Sequence, residues 1–161
     1  MNDSGMTKGL PVPRFLGVVH LLPLPGSPLY GGSMNSVLEA AKRDASALAA
    51  GGAGGIIVEN FGDLPFRPGA VDPETVAAMA LCIEVVEREV GAGVTLGANV
   101  LRNDGRSALG ICAATGASFF RVNVHAGAAV TDQGVISGAA DETLRHRVAL
   151  FPDPAERPAL M

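Results

Sequence analysis

The stretch Gly55-Ile56-Ile57-Val58-Glu59-Asn60 decides how this 161-residue sequence is expected to fold. Its apolar residues follow one another without alternating polar positions, which is typical of a strand that is covered on both faces in a parallel sheet. Three further segments share this character: Phe15–His20, Val94–Leu101 and Phe119–His125. The pattern therefore predicts four buried, parallel strands.

Helical patterns follow each of the predicted strands. They cover Val37–Ala50, Asp72–Val90, Asp104–Thr115 and Asp141–Leu150. Strands that alternate with helices in this way predict the α/β class, with a parallel sheet flanked by helices.

The two ends of the chain differ from this central part. Residues 1–13 are expected to form a flexible leader, and residues 14–150 a single domain. Residues 151–161 contain three prolines, which are excluded from helix interiors and from central strands. We therefore expect a disordered C-terminal tail.

Composition excludes several classes of protein. Hydrophobic residues make up 48% of the chain, which is too many for a disordered protein. Twelve basic residues against 16 acidic ones give a net charge of −4, which argues against nucleic-acid binding. Cys82 and Cys112 stand alone in apolar stretches, as expected for reduced thiols of a cytoplasmic protein. The apolar run from Val76 to Ile83 is too short to span a membrane, and no transmembrane segment is expected.

Polar residues collect where the predicted strands end. In parallel α/β proteins, ligands and catalytic groups lie at the carboxyl ends of the strands. Arg121, Asn123 and His125 are spaced by two, so they are predicted to project from one face of the fourth strand. The candidate site residues are His20, Glu59, Asn60, Asn99, Arg102, Asn103, Arg121, Asn123 and His125.

Each candidate has a functional interpretation and a structural one. Glu59 and His125 are suited to general acid/base catalysis, and the other residues to binding a polar ligand, with Arg102 as an anion clamp. Alternatively, Glu59 pairs with Arg121, the histidines bond backbone carbonyls, and the asparagines cap loops. A third interpretation has His20, Glu59 and His125 bind a divalent metal, although their spacing matches no metal motif.

Five motifs of the sequence resemble the BtpA/SgcQ family, and the resemblance extends over about residues 15–150. They are Val19–Gly26 (VHLLPLPG), Gly55–Asp63 (GIIVENFGD), Asn99–Asp104 (NVLRND), Phe120–His125 (FRVNVH) and Thr131–Gly134 (TDQG).

The resemblance implies a TIM-barrel fold, of which this chain supplies about four of the eight β/α units before the pattern stops at Phe151. The polar residues at the carboxyl rim favour a polar small-molecule ligand, and the resemblance places an enzymatic, nucleosidase-like role among the possibilities. It equally implies a non-catalytic factor in the biogenesis of a membrane complex such as photosystem I, and a shortened, inactive copy is a third alternative. The resemblance names no cofactor. A half barrel exposes strand edges, so a homo-oligomer is expected.

Overall fold

The predicted strands form one parallel sheet in the order in which they occur along the chain. The computed structural model describes Pro13 and residues 15–161, so the expected leader lies almost entirely outside the described residues. A sequential strand order is that of a (β/α) barrel, whereas the order of a doubly wound sheet reverses at a switch point. The α/β prediction, with the sheet of a partial barrel, is confirmed. The strands are β1 (Leu16–His20), β2 (Gly55–Glu59), β3 (Thr95–Asn99) and β4 (Phe119–Arg121).

All four predicted helices are present, and each begins within three residues of the expected position. Ser33 caps the first helix by accepting a hydrogen bond from the Ser36 amide, and Asp104 caps the third through the Ser107 amide. None of the described helices is long and apolar enough to cross a bilayer. The helices are α1 (Met34–Ala50), α2 (Pro73–Val90), α3 (Gly105–Thr115) and α4 (Ala140–Leu150).

The core lies between one face of the sheet and the helices. Val19, Val58, Ala98 and Phe120 are fully buried there against α1, α2 and α3. Because side chains alternate across a strand, their neighbours along the chain face the opposite side of the sheet. Val18, on that open face, is 41% exposed. The open face corresponds to the interior of a barrel.

β4 ends at Arg121 rather than at His125, and the prediction that Arg121, Asn123 and His125 share a strand face is wrong. Beyond Arg121, two amide side chains form hydrogen bonds with backbone groups that a longer strand would have used for sheet pairing. Asn103 bonds both the amide and the carbonyl of Val124, at 2.8 and 3.0 Å, and Asn123 donates to the Arg102 carbonyl at 2.6 Å. Such local side-chain bonds compete with sheet pairing.

A two-stranded hairpin follows, and the sequence reading did not anticipate it. β5 (Ala128–Thr131) and β6 (Gly134–Ser137) pair in antiparallel fashion around Asp132 and Gln133. Gly134 has φ of +98°, a conformation that favours glycine and closes this turn. The hairpin interrupts the connection between β4 and α4.

The expectation of a disordered C-terminal tail is also wrong. Pro154–Glu156 form a 3₁₀ turn, and β7 (Ala159–Leu160) pairs with β4 as the fifth parallel strand. The prolines are tolerated because the sheet takes its N–H donors from Ala159 and Met161, which bond the carbonyls of Ser118 and Phe120. The Arg147 Nε atom, 2.7 Å from the Pro158 carbonyl oxygen, fixes the segment from the other side.

Gly97 and Phe119 are matched on the open face of the sheet. They are register partners on β3 and β4, and a Cβ atom at Gly97 would overlap the Phe119 ring. Phe119 is buried on this face, and its ring packs over the glycine.

We expect Gly97→Ala to lower the free energy of unfolding by about 1–3 kcal/mol, the usual cost of overpacking a buried site. Gly110→Ala is the matched control, since Gly110 lies inside α3 with no atom near the added methyl group. That change should stabilise the helix by about 0.5–1 kcal/mol. Urea unfolding measures both variants, and equal effects would contradict the packing of Phe119 on Gly97.

Candidate functional site

The last paired positions of β1 to β4 align four polar residues side by side. His20 is the register partner of Glu59, Glu59 of Asn99, and Asn99 of Arg121. Neighbouring strands lie about 4.8 Å apart, so partner side chains on one face are within reach of each other. We call these four residues the polar row; it lies at the carboxyl edge of the open face.

Glu59 and Asn99 form the buried centre of the polar row. Asn99 donates from Nδ2 to Glu59 Oε1 at 3.0 Å, while His20 Nε2 lies 3.7 Å from Glu59 Oε2. Glu59 is only 7% exposed and Asn99 only 1% exposed. Asn99 Oδ1 is buried and has no hydrogen-bond partner among the described residues. The centre therefore holds a carboxylate and an unpaired amide oxygen next to each other.

The two ends of the polar row are accessible. The His20 side chain is 53% exposed and stacks on Phe61, with 4.3 Å between the ring centroids. Arg121 is exposed, and no ion pair among the described residues joins it to Glu59, so the structural alternative of a Glu59–Arg121 pair is not found. Phe61 was not among the site residues predicted from the sequence. An aromatic residue directly after the strand-end Asn60 could have indicated it.

Asn60 points away from this centre and organises the loops. Its Oδ1 accepts from the Leu101 amide at 2.7 Å, and its Nδ2 donates to Asp63 Oδ2 at 3.1 Å. Asp63 in turn accepts from the Leu24 amide at 2.7 Å. Burial raises the pKa of Asp63, and its hydrogen bonds with Leu24 and Asn60 oppose the shift. Asn60 thus joins the loops after β1, β2 and β3.

Arg102 connects the loop after β3 to the hairpin. Its Nε donates to Gln133 Oε1 at 3.2 Å and its Nη2 to Asp132 Oδ1 at 3.0 Å. The guanidinium carbon lies 5.4 Å from the centre of the Phe66 ring, a cation–π distance. These contacts already engage the guanidinium that was expected to clamp an anion.

His125 lies beyond the end of β4, and its Nδ1 is buried without a hydrogen-bond partner among the described residues. Throughout the described residues, no group of three His, Cys, Asp or Glu side chains lies close enough together to hold a metal ion. The alternative of a metal site built from His20, Glu59 and His125 is therefore not found.

A cavity of about 250 Å³ opens between the loops after β1 and β2. Asn60, Asp63 and Phe66 line it, but Glu59 and Asn99 do not. The polar row therefore lies on the open face of the sheet, apart from this cavity.

We expect Asn60→Ala to lower the free energy of unfolding by about 2–3 kcal/mol, because it leaves the buried Leu101 amide without this partner and the Asp63 carboxylate with the Leu24 amide alone. The exposed Asn35→Ala change in α1 controls for loss of an asparagine side chain and should change it by less than about 0.5 kcal/mol. Denaturant titration compares the two. A small effect at Asn60 would contradict its place as the junction of the loops.

Fold and site together define a protein of the partial (β/α)-barrel type with polar groups at the carboxyl ends of its strands. More particularly, the chain belongs to the BtpA family, whose sequence profile matches residues 13–156.

Curated relatives support this assignment. The chain is 54% identical to the "Photosystem I biogenesis protein BtpA" of Synechocystis over 87% of its own length and 48% of the relative's. It is 52% identical to an uncharacterized protein of Thermococcus kodakarensis, over 79% of this chain and 48% of that one. An uncharacterized mitochondrial protein of Caenorhabditis elegans is 31% identical, over 86% of this chain and 51% of that one.

The chain thus spans about half the length of these curated relatives. No solved structure is significantly similar to it.

Proposed function

We propose that the polar row binds a polar small molecule and that Glu59 exchanges a proton with it as general acid or base. The observation that carries this proposal is the near-complete burial of the Glu59 carboxylate beside Asn99, whose Oδ1 lacks a partner. Buried polar groups are normally paired, and the exceptions are concentrated at functional sites.

Energetics support a functional origin of this arrangement. Removing a carboxylate from water costs several kcal/mol unless hydrogen bonds replace its hydration, and Glu59 receives one side-chain hydrogen bond, from Asn99. An apolar residue at position 59 would avoid this desolvation cost and stabilise the fold more. Proteins retain such costly groups where activity depends on them.

The chemistry of the polar row favours a ligand that carries hydroxyl or N–H groups. Glu59 and Asn99 offer acceptor oxygens, Arg121 offers donors, and the stack of His20 on Phe61 offers a flat aromatic surface. A sugar-like or nucleoside-like molecule fits this combination. Glu59 would move the proton, and His20, 3.7 Å away, would hold or relay it.

His125, Arg102 and the three loop asparagines complete the proposed site. His125 is the second candidate acid/base, since its Nδ1 is buried without a described partner. Arg102, Asn60, Asn103 and Asn123 act by positioning the loops around the polar row.

An assembly role is the second candidate function. The specific observation in its favour is the 54% identity to the Synechocystis protein, whose name refers to photosystem I biogenesis. Against it, an animal protein is 31% identical over a similar span, and animals have no photosystem. A small-molecule site is compatible with both relatives.

We also propose a cytoplasmic location and self-association of the chain. Cys82 and Cys112 are free and buried, and burial raises the pKa of each thiol to about 12. Unreactive thiols of this kind suit a reducing compartment. The exposed apolar residues Phe15, Val18 and Met161 favour pairing between copies.

Glu59→Gln tests the proposal, with the exposed Glu39→Gln change in α1 as the matched control. Purified chains are titrated with ribose, adenosine, uridine and ribose 5-phosphate while the thermal unfolding midpoint is recorded. We expect at least one probe to raise the midpoint of the unmodified chain and of Glu39→Gln, and Glu59→Gln to lose at least about tenfold in affinity.

Glu59→Gln should itself unfold at the same or a higher temperature than the unmodified chain, because it removes the desolvation cost of the carboxylate. A variant that loses stability but keeps ligand binding would assign Glu59 a structural role. Absence of binding by all four probes, in a folded chain, would favour the assembly role instead.

A further inference from the structure

The side-chain amide of Asn99 has a fixed orientation, which determines the groups that a ligand must offer. A carboxylate only accepts hydrogen bonds, so the Nδ2 atom of Asn99 has to face Glu59, where it donates to Oε1 at 3.0 Å. Asn99 Oδ1 is therefore turned away from Glu59, and this atom is buried without a partner among the described residues. A buried acceptor in this state requires a hydroxyl or N–H donor. A ligand that satisfies it carries at least one such donor.

Arg121 lies next to Asn99 on the other side of the polar row. The two residues are register partners on β3 and β4, so their backbones are about 4.8 Å apart. Arg121 is exposed, and its guanidinium takes part in none of the ion pairs or side-chain hydrogen bonds of the described residues. A guanidinium offers planar N–H donors whose spacing matches the oxygens of a phosphate or a carboxylate. The row therefore places free donors beside an acceptor without a partner.

The arginines of the loops after β2 and β3 are engaged. Arg102 is bound by the hairpin, and Arg67 forms an ion pair with Asp72. Among the arginines of the strand ends and of these loops, Arg121 is the one available to an anion.

The carboxylates near this edge leave room for an anion at Arg121. Asp63 accepts hydrogen bonds from two loop groups, and Asp104 caps α3. Glu59 lies two strands from Arg121, with Asn99 in between, which corresponds to roughly 10 Å between the backbones. Across that distance, the repulsion between Glu59 and an anion at Arg121 is weak in a solvated site.

We propose that the ligand of the polar row is a hydroxylated anion, which donates a hydroxyl to Asn99 Oδ1 and places a phosphate or a carboxylate against Arg121. This inference rests on the proposed function and narrows the ligand from a polar molecule to an anionic one. Both anions bind arginine through two oxygens, so a sugar phosphate and a sugar acid share this chemistry. The row recognises hydroxyl groups at its centre, beside Glu59, and negative charge at its β4 end.

Isothermal titration calorimetry with ribose, ribose 5-phosphate, ribonate and inorganic phosphate, at constant ionic strength, tests this proposal. We expect at least one of the two sugar anions to bind at least about tenfold more tightly than ribose. Tighter binding of ribose 5-phosphate assigns the anion as a phosphate, and tighter binding of ribonate as a carboxylate. Inorganic phosphate lacks the sugar hydroxyls and should bind at least about tenfold more weakly than the preferred sugar anion.

Three substitutions separate the recognition of charge from that of hydroxyl groups. Arg121→Gln should bring the ratio of the affinities for the sugar anion and for ribose to within about twofold of one, because glutamine carries no charge. Arg145→Gln, at an exposed arginine of α4, is the matched control and should preserve the ratio. Glu59→Gln should weaken the binding of ribose and of the sugar anion by similar factors, so the ratio should persist.

The ratio distinguishes a failure of this inference from a failure of the proposed function. If ribose binds through Glu59 but the ratio is near one, or survives Arg121→Gln, the proposed function stands and the anionic ligand is excluded. Equally tight binding of inorganic phosphate would also overturn the inference, because the hydroxyl groups would then contribute nothing. Undiminished sugar binding by Glu59→Gln would contradict the proposed function while the ratio still reports on Arg121. Absence of binding by every probe, in a folded chain, would contradict both.

Discussion

The parallel register of β1 to β4 is the constraint on which the site depends. Since successive side chains of a strand face opposite sides, a slip of one residue would exchange the two faces. Glu59 would then enter the layer of the helices, and Val58 would lie on the open face. Burial of Val58, Ala98 and Phe120 against the helices opposes that slip. The apolar core thereby places Glu59 beside Asn99, although neither residue contributes much to hydrophobic stability.

Beyond the strands, hydrogen bonds from asparagine side chains fix the positions of the loops. Asn60 joins the loops after β1, β2 and β3, and Asn103 and Asn123 bind the segment after β4. A carboxamide offers both donors and an acceptor, so it can replace a backbone partner where the sheet has ended. These loops follow the strands whose last paired residues form the polar row.

The sequence was sufficient to predict β1 to β3, the start of β4, the four helices and the residues of the polar row, because long apolar runs and strand-end polar residues are local signals. It was insufficient where a distant side chain decides the backbone. The early end of β4 depends on Asn103, about 20 residues away. The ordered tail depends on a hydrogen bond from Arg147 and on backbone carbonyls at β4 that accept from its amides. Neither contact is visible in the sequence, where the three prolines indicate the absence of regular structure. The functions of Asn60 and Arg102 likewise became apparent only from their partners.

The proposed site depends on the direct interaction of Glu59 and Asn99 at the carboxyl edge of the sheet. A double-mutant cycle of Glu59→Ala and Asn99→Ala, measured by urea unfolding, tests it most directly. A hydrogen bond to a buried carboxylate predicts a coupling energy of about 1.5–3 kcal/mol between the two positions. Additive effects of the two substitutions, with coupling below about 0.5 kcal/mol, would contradict the register and the site built on it.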